Sequence, residues 1–75
     1  MNAIQCKLAR IAIGWGVREL AKAAHVSTQT ISRLEKGEQL RPTTIADIKR
    51  VLEEAGIEFI PADGGGVGVR FKNPT

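Results

Sequence analysis

The sequence predicts a mainly α-helical domain of four to five helices that ends in a short β-hairpin or extended tail. Three observations carry that expectation. Apolar residues recur at helical spacing as far as residue 55. Gly14, Gly37 and Gly56 follow periodic stretches, where a helix stop belongs. Beyond Gly56 the period falls to two, as in strands. With 75 residues the chain makes one small domain, which buries roughly 60–65% of the surface its unfolded form exposes. A large enzyme cleft does not fit within it.

The first segment, residues 3–13, is apolar except at Gln5, Lys7 and Arg10. Cys6, Ala9 and Ile13 form one stripe, and Ile4, Leu8, Ile11 and Trp15 form a second on a neighbouring face. A helix apolar over so wide an arc needs cover on two sides. The core supplies one side, and the C-terminal segment or a second chain supplies the other. Residues 17–24 are good helix formers whose positions 17, 20, 21 and 24 share a face. After His25 and Val26, Ser27 supplies an N-cap oxygen for a third helix over 28–36. A fourth helix follows Arg41 and Pro42, capped by Thr43 or Thr44, with Ile45, Ile48, Leu52 and Ala55 inward. Residues 57–60 and 67–71 read as two strands joined through a glycine-rich turn.

Composition narrows the function classes. Eleven Lys and Arg against eight Asp and Glu give a net charge of +3, but its distribution is more informative than its sum. Residues 1–37 carry +4, residues 38–62 carry −2 and residues 63–75 carry +1. This polarity suits a polyanion on one face and another partner elsewhere, although a merely solvated surface has the same pattern. One cysteine and one histidine exclude an internal disulfide and a Cys/His zinc site. No apolar run reaches the roughly 20 residues that span a bilayer. Residues 1–7 lack a signal-type leader, so a cytoplasmic protein that makes no membrane contact is expected.

The third segment carries the functional signal. Ile31 and Leu34 anchor it inward at i, i+3, which leaves Thr28, Gln29, Ser32, Arg33 and Lys36 outward. Gln and Arg are side chains able to read adenine and guanine edges with two hydrogen bonds each. A helix that only faces water more often carries Glu/Lys pairs one turn apart. Elsewhere the signals are structural. The run from Gly64 to Gly68 leads into no helix and so makes no phosphate cradle. Cys6 reads as a small core residue, Trp15 as a ring beneath the first helix, and Glu53, Glu54 and Glu58 as a solvated face. There is no catalytic constellation, metal site or cofactor to expect, and the protein is expected not to be an enzyme.

From Val17-Arg18-Glu19-Leu20-Ala21 through Val26-Ser27 to Thr30-Ile31-Ser32-Arg33-Leu34-Glu35-Lys36-Gly37, the chain resembles the helix-turn-helix of phage-repressor and Cro-like transcriptional regulators, the xenobiotic-response-element family. The resemblance extends over about residues 4–55. It implies a compact helical domain that binds operator DNA as a dimer, with the third helix in the major groove. Thr28, Gln29 and Arg33 match the family's base-reading positions, and Ser32 points the same way. Ser27, Lys36 and Arg41 match phosphate-holding positions, and Arg10 with Glu35 matches an ion pair between the first and third helices.

Two departures stand out. Gly16-Val17 replaces the common Ser-Gln, leaving the backbone amides of Val17 and Arg18 to face a phosphate. His25 stands where a turn glycine is usual.

The expected function is therefore that of a sequence-specific regulator of transcription, such as a repressor, which binds double-stranded DNA as a homodimer on a roughly palindromic site. The rival is a protein-interaction module, such as an antitoxin that holds a toxin or an adaptor on another regulator, motivated by the extra apolar stripe. Residues 1–56 form the DNA-binding domain and residues 57–75 the hairpin or tail. Val67, Val69 and Phe71 are expected on the second stripe of the first helix, in the same chain or in a partner, while Arg70 and Lys72 alternatively reach flanking phosphates.

Overall fold

Each helix forms where local chemistry satisfies its ends. In the computed structural model, which describes residues 1–73, α1 spans Ala3–Ala12, α2 Val17–Ala24, α3 Thr28–Glu35 and α4 Pro42–Glu54, followed by strands β1 (Ile57–Ile60) and β2 (Gly68–Phe71). Pro74 and Thr75, the end of the expected 57–75 tail, lie outside the described residues. The fold is mainly helical with four helices among those residues and a two-stranded antiparallel hairpin. None of these helices is long and apolar enough to cross a membrane.

At the start of α1, Asn2 and Gln5 form a capping box: the Gln5 amide donates to Asn2 Oδ1 at 2.9 Å and the Asn2 amide to Gln5 Oε1 at 3.0 Å. Helices α1, α2 and α3 end alike, with an N–H reaching back five residues: Trp15 to the Arg10 carbonyl at 2.9 Å, Val26 to Ala21 at 3.0 Å and Glu38 to Arg33 at 3.1 Å. That bond needs one left-handed residue per helix end. Gly37 meets the need at φ 91°, whereas His25 does so as the one described non-glycine at positive φ, 56°.

The cap expected at Thr43 or Thr44 is not used. Arg41 is the N-cap of α4 without a side-chain hydrogen bond, and Pro42 takes the first turn. The ring's fixed φ and missing N–H suit that turn, so the helix begins earlier than a hydroxyl cap would start it. Ala55, expected to face inward, closes α4 in an exposed position.

The core joins Cys6 and Ala9 of α1, Leu20, Ala21 and Ala24 of α2, Ile31 and Leu34 of α3, Ile48, Val51 and Leu52 of α4, and Ile57 of β1. The hairpin lies across the helices, β1 against α4 and β2 against α1. Its register pairs Ile57 with Phe71, Glu58 with Arg70, Phe59 with Val69 and Ile60 with Gly68. Ile57, Phe59 and Val69 pack on the core. On the opposite face Arg70 clasps Glu58 with two hydrogen bonds of 3.0 Å each. This contact holds the Glu58 carboxyl below the usual carboxylate range and occupies the arginine that was expected as an alternative phosphate contact.

Ile4, Leu8 and Ile11 of the second stripe of α1 are left uncovered by the described residues. Ile4 is 53% exposed, Leu8 42% and Ile11 56%, and Val67 and Phe71 are themselves exposed. Only Val69 of the three expected cover residues joins the core. The reason is Gln5, buried among apolar neighbours. Its Nε2 donates to the carbonyls of Ile60 (3.1 Å) and Gly68 (3.0 Å). Both lie at the loop end of the hairpin, so β2 is fastened near the start of α1 instead of lying along Ile4, Leu8 and Ile11. Trp15 is half-buried against the core.

Candidate nucleic-acid interface

Helix α3 is presented by a short turn from α2, and its N-terminus is closed by Ser27. The Ser27 oxygen accepts from the Thr30 amide at 3.1 Å and shares a 2.9 Å hydrogen bond with the Thr30 hydroxyl. Ile31 and Leu34 are buried and set the helix's rotation. At 100° per residue, Thr28, Gln29, Ser32, Arg33 and Lys36 then fall within an arc of about 140° on the opposite side. Thr28, Gln29, Arg33 and Lys36 are exposed and Ser32 is half-buried. The arc holds two cations and no carboxylate.

The elements on either side of α3 also carry basic groups. Arg18 and Lys22 of α2 are exposed, as is Arg41 at the start of α4, while Val17 is half-buried. Gly16 caps α2 with no side-chain hydrogen bond. A cleft of about 400 Å³ separates α3 from the start of α4, lined by Ser27, Thr30, Arg33, Gln39, Arg41 and Thr44 among others. Two guanidinium groups therefore border one groove beside the polar face of α3.

The orientation of α3 is locked from behind. Arg10 Nε meets Glu35 Oε2 and Arg10 Nη2 meets Glu35 Oε1, both at 2.9 Å, while Nη1 donates to the Trp15 carbonyl at 3.0 Å. Both side chains are nearly enclosed, 12% and 10% exposed. The ion pair therefore ties α1, the loop after it and α3 into one body, and it spends the guanidinium fork internally. Cys6 donates to the same carboxylate across 3.5 Å.

A buried polar bolt, two helices at a tight turn and an outward polar face describe a helix-turn-helix, and the family model described as Helix-turn-helix matches residues 7–59. The chain belongs to this family. It is a phage-repressor- or Cro-like, DNA-binding helix-turn-helix regulator. No curated protein matches the chain. The matched span of this helix-turn-helix domain takes in Lys7 to Phe59, hence all four helices in part or whole and most of β1, but not β2.

Sequence reasoning missed two residues of consequence. Gln5 read as a polar interruption, yet it joins α1 to the hairpin across 55 and 63 residues of sequence. Glu38 read as part of the acidic segment, yet its carboxylate lies 3.0 Å from Arg33 Nε on the outward side of α3. The Asn2/Gln5 spacing was an available signal for the first. Nothing local announces the second.

Proposed function

We propose that the protein is a sequence-specific transcriptional regulator that binds double-stranded DNA in the cytoplasm as a homodimer. The observation that carries this reading is the polar arc of α3, whose own residues include two cations and no carboxylate and offer Gln and Arg side chains on a rigid rod held by Ile31, Leu34 and the Arg10–Glu35 pair. Thr28, Gln29, Ser32 and Arg33 read base edges. Ser27, Lys36, Arg41 and the start of α2 at Val17 and Arg18 hold phosphates.

A single module of this size buries only about 600–1,000 Å² on DNA. Two copies with reading helices about one DNA turn apart bind more tightly and impose palindromy on the site. Selection of binding sites from random duplexes tests the proposal. An enriched motif of two inverted half-sites is the expected outcome, and recovery of no motif would overturn it. Gln29→Ala or Arg33→Ala costs about 1–3 kcal/mol and relaxes preference at one base position. Lys36→Ala instead weakens binding to all sequences alike and flattens the salt dependence.

One observation favours a second reading, a module that holds another protein. Among the described residues, the large exposed hydrophobics Ile4, Leu8, Ile11, Val67 and Phe71 all lie on α1, on β2 or immediately before β2. A chain that sediments alone as a monomer and recovers no DNA motif would favour that reading.

A further inference from the structure

We propose that Glu38 is a positioning residue for DNA reading: it holds Arg33 by Nε so that the two Nη groups face a guanine end-on. The inference rests on the assignment of Arg33 to base reading and adds a specificity determinant outside the reading helix.

The three closest arginine–glutamate pairs are built differently. Arg10 and Arg70 each give Nε and an Nη group to their carboxylate, which uses the fork. Arg33 gives only Nε, to Glu38 Oε1 at 3.0 Å, and its Nη groups carry no hydrogen bond among the described residues. Guanine presents N7 and O6 in its major-groove edge as neighbouring acceptors, which take two parallel N–H donors. With Nε engaged, the side-on pair of Nε and Nη2 is closed to the base, and the end-on pair of Nη1 and Nη2 remains.

Glu38 is itself fixed to the residue it holds. Its backbone N–H donates to the Arg33 carbonyl at 3.1 Å in the bond that ends α3, made possible by Gly37 at φ 91°. Backbone and carboxylate thus grip the same arginine at both ends. The two side chains are 55% and 50% exposed, a setting in which an ion pair adds little to folding stability. Its consequence falls on the arginine's freedom. A long side chain that is already ordered loses less entropy when it meets its base.

The experiment measures binding of the full chain to its selected duplex, to the same duplex with the Arg33-dependent G·C pair replaced, and to an unrelated duplex. Arg33→Ala identifies the dependent pair. Glu38→Ala is expected to reduce discrimination at that pair about 2- to 12-fold, as expected for a side chain that must be ordered on binding. Affinity for the unrelated duplex holds or rises, because a carboxylate leaves a surface that meets phosphates. Glu38→Gln, which keeps an acceptor for Nε, retains more discrimination than Glu38→Ala. In an Arg33→Ala background, Glu38→Ala changes discrimination no further. Full discrimination in Glu38→Ala, with its loss in Arg33→Ala, overturns the positioning role and leaves base reading intact. A uniform loss on every duplex with a lowered melting temperature also overturns it, by making Glu38 a folding residue. If no Arg33-dependent base pair exists, the underlying assignment fails instead.

Discussion

Cys6 and His25 are the two residues whose local conditions depart furthest from the ordinary. The Cys6 thiol is fully buried and its pKa is pushed up from 9.0 to about 12, first by burial and then by the charge and hydrogen bond of Glu35, with Arg10 opposing. The thiol therefore stays protonated in the folded chain at pH values where the unfolded chain has lost its proton. Its contribution is fully present below pH 9 and is lost as pH rises toward 12, by up to about 1.4 kcal/mol per pH unit. Denaturant melts of wild type and Cys6→Ala at rising pH should show wild type losing ground over that window. Parallel curves would refute the argument.

His25 is exposed and left-handed, at φ 56° and ψ 43°. An L-residue there costs about 1–2 kcal/mol, while glycine returns roughly half of the gain through its looser unfolded chain. His25→Gly should therefore stabilise the domain by about 0.5–1 kcal/mol, and each kcal/mol raises the melting temperature of a domain this size by about 4–8 °C. A melting temperature that falls would mean the imidazole makes a contact that outweighs the strain.

Among the elements, the hairpin depends most on a single side chain. Gln5 offers one oxygen to the α1 cap and its amide nitrogen to the carbonyls of Ile60 and Gly68. Gln5→Ala leaves those two part-buried carbonyls without their donor, at a cost of about 1–3 kcal/mol. The loss should be local first: amide exchange in β1 and β2 should accelerate more than in α2 and α3. Equal acceleration everywhere would instead place Gln5 in the global core.

The same residue explains which parts of the fold were legible. Helices α2 and α3 follow from short-range spacing, from Ser27 as a cap and from Gly37 as a stop, all visible within a few residues. The strands follow from alternation at Val67, Val69 and Phe71. Where the hairpin docks is decided by bonds over more than 50 residues, which no local pattern encodes, so cover of Ile4, Leu8 and Ile11 by the same chain's hairpin, one of the two arrangements expected, is not found among the described residues. The site divides in the same way. The outward set on α3 follows from helical periodicity, whereas Glu38 reaches Arg33 only because the chain reverses at a left-handed Gly37.

For the molecule as a whole, the polar and the apolar surfaces lie on different elements. The polar arc of α3 carries the cations, and the apolar surface on α1 and β2 is left over after the core is complete. A two-fold dimer uses one self-complementary patch on both subunits, and the row Ile4, Leu8, Ile11 along one helix face can meet its own copy in that way. Stable interfaces bury about 1,200–2,000 Å² in total, more than this row alone supplies, and the exposed Phe71 and Val67 are the further large apolar side chains among the described residues. Glutamate at Leu8 or Ile11 places a charge in that contact, yet each position is already about half open to water in the single chain, so folding is little affected. Sedimentation should give twice the 8.1 kDa chain mass for wild type and the single-chain mass for Leu8→Glu and Ile11→Glu. Because two linked half-sites add about 10²- to 10⁴-fold to affinity, both variants should lose binding to a full palindrome while keeping wild-type affinity for one half-site. If the variants stay dimeric, the two-fold axis lies elsewhere. If wild type itself sediments as one chain at micromolar concentration, the apolar row belongs to a different protein, and the reading as a partner-holding module gains what the homodimer loses.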